Sequence, residues 1–340
     1  MKKFDFVVGN PPFDEETENN GRRKPLYHLF MQGSYEIGNT TILIHPSRFL
    51  FNAGQTPKNW NKEMLNDKHF KVLKYEENPR VFFPMNEIKG GVAITIRDKD
   101  KDYGKIGIFT GSSILDSILN KVTSKMEFPL SDYISKGVPY KFTNKIKEDY
   151  QDYDQMISKS FDLRTNVFDN LNDIIFFFNS EDLDNPIKIY GLLNQKRVSM
   201  YVNSKYIRKP DDFNSYRLLI PKAVGSGKFG ESFPDMIIAN PNEGHTQSFL
   251  SICSFNNEKE VKNLEKYIKT KFSRTLLSIL KVTQDITPSK WQYVPLQDFT
   301  ENSDIDWSKS IAEIDQQLYK KYGLSPEEID FIEEKVQEME

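Results

Sequence analysis

The chain has 340 residues, of which 38% are hydrophobic and 13% aromatic, so it can form two or three domains with substantial cores. Its single cysteine excludes a disulfide framework and a cysteine-based zinc site, and its four histidines lack metal-ligand spacing, so we predict no bound metal. The sequence contains neither a signal peptide nor an apolar run of about 18 residues that would cross a membrane. We therefore expect a soluble, cytoplasmic protein.

Charge is unevenly distributed along the chain, although the net charge is only −3. Residues 1–300 contain 42 Lys and Arg against 37 Asp and Glu, whereas residues 301–340 contain 4 against 12. The acidic excess is therefore confined to the end of the chain. The body is mildly basic, which permits phosphate contacts without requiring them, so charge alone leaves a nucleic-acid partner open.

The first predicted element is a short apolar strand that runs into Asn10-Pro11-Pro12-Phe13. The two prolines hold φ at about −65° and stiffen the loop. Asn10 can offer its side-chain oxygen, and Pro11 its backbone carbonyl, to the two N–H bonds of an exocyclic amino group. Phe13 supplies a flat apolar face on which a base swung out of a duplex can stack. A proline-rich turn with no catalytic role is the alternative for the tetrapeptide alone.

Helices and strands alternate over the next 85 or so residues, as in a doubly wound sheet. The predicted order is a helix over 25–37 with Pro25 in its first turn, a parallel strand and the loop at its carboxyl end over 41–50, a short helix over 60–66, a strand over 70–75, the aromatic pair Phe82-Phe83, and a strand over 88–96 that contains Lys89-Gly90-Gly91.

These segments, in this order, resemble motifs IV to VIII of the adenine-N6 DNA methyltransferases. The resemblance implies an α/β fold, namely the second half of a Rossmann-like class I methyltransferase sheet over residues 1–98. It implies that Asn10, Pro11, Pro12 and Phe13 are catalytic and that S-adenosylmethionine donates the methyl group. Phe82 or Phe83 would close the other side of the base pocket, although core positions are equally compatible with both.

The family's cofactor site begins upstream of the Asn-Pro-Pro-Phe loop, with a glycine-rich turn and an acidic ribose ligand. Only nine residues precede Asn10, so we expect that site to be largely missing from this chain. Residues 225–228 do not replace it, because Lys222 and Phe229 break the P-loop pattern. An exposed sheet edge is then expected to pair with an N-terminal methyltransferase half or with a second copy of the chain.

A polar, turn-rich run over residues 99–105 marks the predicted end of the catalytic half. A helix is predicted over 114–125, followed by short strands over 174–178, 187–190, 198–202, 216–220, 236–239 and 249–253. This pattern predicts a strand-rich α+β domain over residues 99–300. The target-recognition domain of adenine methyltransferases lies in this place, so the resemblance implies double-stranded DNA as a partner.

Arg164 and Asn166 are the first candidate DNA contacts in this domain. They belong to a Phe-Asp-Leu-Arg-Thr-Asn segment that resembles a Phe-Gly-Leu-Arg-Thr-Asn element of recognition domains, with Asp162 in place of Gly. Arg pairs with guanine and Asn with adenine in the major groove, so both residues suit a base edge. A structural arginine that anchors a loop is the alternative.

Two further basic clusters are candidate phosphate contacts. Lys196 and Arg197 lie near aromatic residues, although solvated strand ends have the same composition. Lys222 and Lys228 bracket Gly225-Ser226-Gly227, a turn that we expect to be flexible and able to bring backbone N–H groups to a phosphate. A plain hairpin uses the same residues and stays open as an alternative.

The end of the chain is predicted to be helical. An amphipathic helix is expected over 257–281, and an acidic helical tail over 301–340 with a capping sequence at Ser325. Residues 294–299 and the tail look like the C-terminal end of restriction-modification adenine methyltransferases. The acidity of the tail suggests that it packs on the protein and avoids DNA.

Taken with the resemblance, these patterns predict the C-terminal part of a site-specific adenine-N6 DNA methyltransferase of a restriction-modification system, inactive in isolation. A non-catalytic recognition module or remnant that requires a partner, such as a restriction subunit, is the first alternative. Asn-Pro-Pro loops also serve methyltransferases of glutamine side chains and ribosomal RNA. Those enzymes carry little sequence after the catalytic fold, whereas roughly 240 residues follow Asp98 here.

Overall fold

The computed structural model describes residues 4–16, 23–51, 54–85, 88, 90–156, 160–281 and 283–339. The architecture is mixed α/β with several small sheets. The chain divides into two compact units, residues 1–117 and residues 118–340. The boundary lies inside a helix, α3 (Ser113–Lys125), beyond Asp98. The assignment of functions to the predicted domains stays a prediction.

The first unit is built around a four-stranded sheet. The strands of the unit are β1 (Phe4–Gly9), β2 (Asp14–Glu16), β3 (Arg23–Pro25), β4 (Gly38–Pro46), β5 (Phe70–Glu76) and β6 (Val92–Asp98). The helices of the unit before α3 are α1 (Tyr27–Ile37) and α2 (Lys58–Asn66). The sheet order is β1-β4-β6-β5, with β1 parallel to β4 and with β6 antiparallel to both neighbours. The strands β2 and β3 form a separate hairpin.

Apolar residues explain this arrangement. Residues 41, 43 and 45 of β4 are buried and alternate with half-buried neighbours, as expected of a strand with one face on a core. Met31 of α1, Phe49, Phe70 of β5 and Ala93 of β6 are fully buried in a single cluster. The helix α1 links two parallel strands, which is the usual role of a crossover helix.

Two predicted boundaries in this unit are wrong, each because of a turn. Pro25 pairs with Asp14 in the β2–β3 hairpin, so α1 begins only at Tyr27. Within residues 41–50, the predicted strand and following loop are present, since β4 ends at Pro46 and Arg48–Phe51 is a 3₁₀ turn. The strand predicted from residue 88 begins at Val92, since Gly90 and Gly91 have left-handed φ values of 89° and 81°. Lys89 lies outside the described residues.

The second unit contains three small sheets and seven helices among its described residues. Its strands are β7 (Lys141–Phe142), β8 (Pro186–Leu193), β9 (Lys196–Asn203), β10 (Ile207–Arg208), β11 (Tyr216–Pro221), β12 (Ile237–Ala239), β13 (Glu243–His245) and β14 (Phe249–Phe255). The helices are α4 (Lys145–Asp149), α5 (Tyr153–Met156), α6 (Val167–Leu171), α7 (Glu258–Lys269), α8 (Lys271–Ser278), α9 (Ile311–Tyr322) and α10 (Pro326–Lys335). The sheet orders are β10-β7, β12-β11-β14 and β13-β8-β9.

An aromatic core and a buried arginine organise this unit. Phe168 and Phe176 lie 4.9 Å apart, ring centre to ring centre, and both are fully buried. The fully buried guanidinium of Arg217 donates hydrogen bonds to the Tyr140 hydroxyl and to the Glu243 carbonyl. Burying a charge requires such partners, so Arg217 is a structural residue of the sheet region.

Two predictions in this unit are wrong. Residues 174–178 are not a strand, because Asp173 has a left-handed φ of 59° and the chain folds back so that Phe176 pairs with Asn172. The helix predicted over 257–281 is two helices, α7 and α8. Thr270 breaks it in an extended conformation, and its hydroxyl accepts the Ser273 N–H at 3.1 Å and so caps α8. The tail helices α9 and α10 both begin with a capping box.

Candidate active site and DNA-binding surface

The candidate active site lies where the strand ends of the first unit meet. Since β1, β4 and β5 run in one direction and β6 in the other, three carboxyl ends and the amino end of β6 share one edge of the sheet. The segments at this edge are residues 10–13 (the Asn10 loop), Arg48–Phe51, Pro79–Val81, and Gly90 with Gly91. Ligands of open α/β sheets bind at the carboxyl ends of strands.

The backbone of the Asn10 loop is held while its amide side chain stays open. The Phe13 carbonyl accepts the Leu26 N–H at 3.0 Å, which ties the loop to the start of α1. Pro11 is buried, whereas Asn10 and Pro12 are exposed. Among the described residues, none hydrogen-bonds the Asn10 side chain. The loop therefore presents an unpaired amide at the sheet edge, from a backbone that is tied to α1 through Phe13.

The structure distinguishes the two candidate base-pocket phenylalanines. The rings of Phe13 and Phe83 meet edge to face, with centres 5.5 Å apart and planes at 86°. Phe82 instead lies under the Lys74 ammonium, whose nitrogen is 5.1 Å from the ring centre. All three rings are half-buried. Phe83 is thus the one that joins the Asn10 loop.

Gly90 and Gly91 shape the neighbouring turn. The Ser47 N–H donates to the Gly91 carbonyl at 3.1 Å, and the Ser47 hydroxyl donates to the Gly90 carbonyl. A side chain at Gly91 would place Cβ 2.5 Å from the Glu76 carbonyl oxygen, so only glycine fits. The stem of Arg48 packs against Gly90 and leaves this side chain exposed at the edge. Sequence patterns gave no sign of Arg48.

His45 belongs to the core and does not line the cleft. It is fully buried, stacks on Tyr27 with ring centres 5.8 Å apart, and accepts the Thr95 hydroxyl at 2.8 Å while its other nitrogen donates to the Pro46 carbonyl. Burial lowers the pKa of His45 to about 4, although the hydrogen bond to Pro46 acts in the opposite direction. The ring is therefore neutral near pH 7 and serves packing.

The beginning of the chain is similar to a known protein family. Residues 1–82 match the Eco57I restriction-modification methylase family model. The matched residues, 1–82, are called the methylase segment below after the family that they resemble, and they contain β1, the Asn10 loop, α1, β4, α2 and β5. It ends at Phe82, one residue before the ring that meets Phe13.

Two solved structures are similar to nearly the whole chain at low identity. The type IIG restriction endonuclease BpuSI is 11% identical, with a TM-score of 0.34, over 94% of this chain and 49% of that chain. The type IIL restriction-modification enzyme MmeI, solved in complex with DNA, is 12% identical, with a TM-score of 0.33, over 97% of this chain and 56% of that chain. This chain spans about half the length of the structures that it matches. Among curated proteins, no match was found.

The methylase segment leaves one strand edge and one apolar face uncovered. The strand β1 pairs only with β4 among the described strands. Phe4, Phe6 and Val8 lie on one face of β1 and are 55%, 70% and 74% exposed. Alternating large apolar residues on an open edge strand are a pairing surface that native proteins normally cover.

Two of the predicted DNA-contact clusters are neighbours in the second unit. Arg164 and Asn166 are exposed just before α6, and α6 packs against β8. The Asp169 carboxylate of α6 accepts the Asn194 N–H at 2.6 Å, at the turn between β8 and β9. Lys196 and Arg197 follow this turn and are exposed, although Arg197 also donates to the Asp235 carbonyl at 3.3 Å.

The third cluster differs from its prediction. In the glycine loop, residues 221–230, the N–H groups of Ser226 and Gly227 already bind the Glu231 carboxylate at 2.8 and 2.9 Å. The expectation that these N–H groups are free for a phosphate is therefore wrong. Lys222 is half-buried and Lys228 is exposed.

Glu231 is held by a buried cation. Its carboxylate pairs with the Lys281 ammonium, which is 3% exposed. Burial alone would raise the pKa of Glu231, but Lys281 and the N–H groups of Ser226 and Gly227 outweigh it and lower the pKa to about 2. The glycine loop is thus closed on an internal anion.

Two further properties bear on the candidate functions. Within the described ranges, no three His, Cys, Asp or Glu side chains are grouped so that they could hold a metal ion. None of the helices in those ranges combines the length and the apolar character needed to cross a membrane.

Proposed function

We propose that this chain forms the base-binding and DNA-recognition part of a site-specific adenine-N6 DNA methyltransferase of a restriction-modification system. The observation that carries this proposal is the Asn10 loop. It lies within the methylase segment, at the carboxyl end of β1, with an open amide and with Phe13 beside Phe83.

The residues at this edge act on an extruded adenine. The Asn10 side-chain oxygen and the Pro11 carbonyl each accept a hydrogen bond from one N–H of the exocyclic amino group, which localises the nitrogen lone pair. Pro12 keeps the loop rigid. Phe13 stacks on the base and Phe83 forms the adjoining wall.

S-adenosylmethionine supplies the methyl group in this class of enzyme, and the described residues fit only the base side of such a site. The glycine loop does not fit a nucleotide, because Glu231 occupies its N–H groups. We propose that the cofactor site is completed by an N-terminal methyltransferase half that pairs with β1 and covers Phe4, Phe6 and Val8. The order β1-β4-β6-β5 then supplies half of a doubly wound sheet.

Base extrusion tests this function on the chain itself. Selection of bound duplexes from a random pool should return one consensus site that contains an adenine. Placing 2-aminopurine at that adenine should give a fluorescence rise when the chain binds, because the base leaves the stack. Phe13→Ala and Phe83→Ala should reduce the rise, whereas the matched variant Phe82→Ala should not. Absence of a consensus, or an unchanged rise in all three variants, contradicts the proposal.

A DNA-recognition module without catalysis is the second candidate, favoured by the uncovered face of β1. Titration calorimetry with S-adenosylmethionine addresses the cofactor half directly. We expect no binding tighter than the millimolar range, because the described residues contain no glycine turn with open N–H groups followed by an acidic ribose ligand. Micromolar affinity would show that the cofactor site is present. Specific DNA binding without base extrusion would favour the recognition module.

A further inference from the structure

The hairpin of β8 and β9 ends in a turn of unusual composition. The two strands pair without interruption from Pro186 opposite Asn203 to Leu193 opposite Lys196, which leaves a loop of two residues, Asn194 and Gln195. Both loop residues have left-handed backbones, with φ values of 49° and 63°. This is the pattern of a type I′ turn, in which glycine is strongly preferred at the second position.

Gln195 occupies the second position of the turn, where a glycine would adopt the left-handed backbone without strain. A side chain other than Gly, Asn or Asp in this region is strained, and backbone strain of this kind is concentrated at functional sites. Gln195 is exposed and hydrogen-bonds no residue in the described ranges. Local packing therefore does not explain the glutamine, which points to a partner outside the chain.

The turn is fixed in place, although its two side chains form no hydrogen bond within the described part of the chain. At the base of the hairpin, Ile189 lies opposite Met200 and both are fully buried. Gly191 lies against Phe168, because a Cβ there would approach the ring within 2.6 Å. At the turn itself, Asp169 accepts the Asn194 N–H at 2.6 Å. Both amide side chains are thus presented from a rigid support.

The chemistry of the turn matches duplex DNA. A two-stranded β-ribbon fits the major groove, and an Asn or Gln amide offers the donor and acceptor that adenine N6 and N7 require. Lys196 and Arg197 follow immediately and suit backbone phosphates, which set position without reading sequence. We propose that Asn194 and Gln195 read base edges in the major groove and determine part of the sequence specificity. This inference rests on the proposed DNA-binding function.

The test compares consensus sites of variants that keep the fold. Gln195→Gly and Asn194→Gly each introduce a glycine, which adopts the left-handed backbone of the turn without strain. Both variants should therefore fold as well as the parent chain. In random-duplex selection, each should lose preference at one or two base pairs of the consensus by about 10-fold or more. Preference at the other positions and the salt dependence of binding should not change.

Two controls separate the possible failures. Asn242→Gly changes another exposed residue with a left-handed φ, 69°, outside the hairpin, and should leave the consensus intact. Lys196→Met should weaken binding to all duplexes alike. If the parent chain selects no consensus, the proposed DNA function fails and this inference with it. If the parent selects one and both hairpin variants keep it, only the inference about the hairpin is overturned. Equal loss of affinity for all duplexes in those variants would also overturn it.

Discussion

The Asn10 loop and the glycine loop differ in whether their polar groups are already hydrogen-bonded within the protein. Asn10 has an exposed amide without a partner among the described residues, while the loop backbone is tied down through Phe13 and Leu26. The glycine loop has its N–H groups bound to Glu231, which in turn pairs with the buried Lys281.

This difference is the one expected between a loop that binds a ligand and a loop that stabilises the fold. A loop that binds a ligand must be rigid and still keep donors or acceptors unpaired, because every internal bond would have to be broken on binding. The glycine loop has already used its groups within the unit, and the Gly230 carbonyl also accepts N–H groups from Arg274 and Gln337. Composition alone made the two loops look equally functional.

The largest expected effect is on the open loop. In an enzyme reconstituted with a cofactor-binding half, Asn10→Ala should lower the rate of methyl transfer by about 10²–10³-fold, the usual effect of removing one positioned hydrogen-bonding group from a reaction site. Duplex affinity should change by less than about twofold, because in the proposed function Asn10 contacts only the extruded base. Asn66→Ala, which removes another exposed amide of the same unit, is the matched control. Equal rates for Asn10→Ala and the parent would remove Asn10 from the chemistry.

The next effect concerns the braced loop. Lys281→Met should lower the free energy of unfolding by about 3 kcal/mol, because it leaves the Glu231 carboxylate without its buried counter-charge. Denaturant unfolding measures this change. Lys228→Met, in the same loop but exposed, should stay within about 0.5 kcal/mol. Comparable stabilities for the two variants would show that the loop is not braced by this pair.

The same brace predicts a pH dependence. The pKa of Glu231 is lowered from 4.5 to about 2, so its contribution to stability is fully present above pH 4.5 and is lost as the pH falls toward 2. Glu231→Gln should remove this part of the acid sensitivity. Parallel unfolding free energies of parent and variant across that range would contradict the assignment.

The smallest expected effect concerns DNA binding by the two lysines of the glycine loop. If Lys222 and Lys228 bind phosphates, replacing both with Ala should weaken binding to all duplexes alike and should lower the salt slope by about 2, since each phosphate contact contributes about 0.9. Arg164→Ala should instead change preference among sequences. An unchanged slope in the double variant would leave the loop with a bracing role only.

Local sequence determined most elements of the fold. The apolar strand before Asn10, the helix before Ile37 and the helices at Ile311 and Pro326 depend on periodicity and capping residues that are close in the chain. The same holds for the proline-stiffened loop and for the glycine turn at Gly90 and Gly91. Errors arose where a hydrogen bond from one side chain overrode the pattern, as Thr270 does between α7 and α8.

Tertiary structure alone decided which of these elements come together. Phe82 and Phe83 are indistinguishable by sequence, yet only Phe83 meets Phe13, 70 positions away. The pairing of Glu231 with Lys281 and of Asp169 with Asn194 likewise joins distant residues. These contacts decide which polar groups stay unpaired in the glycine loop and in the turn between β8 and β9. Hydrogen-bond satisfaction is a property of the folded unit, because partners far apart in the chain leave no local pattern.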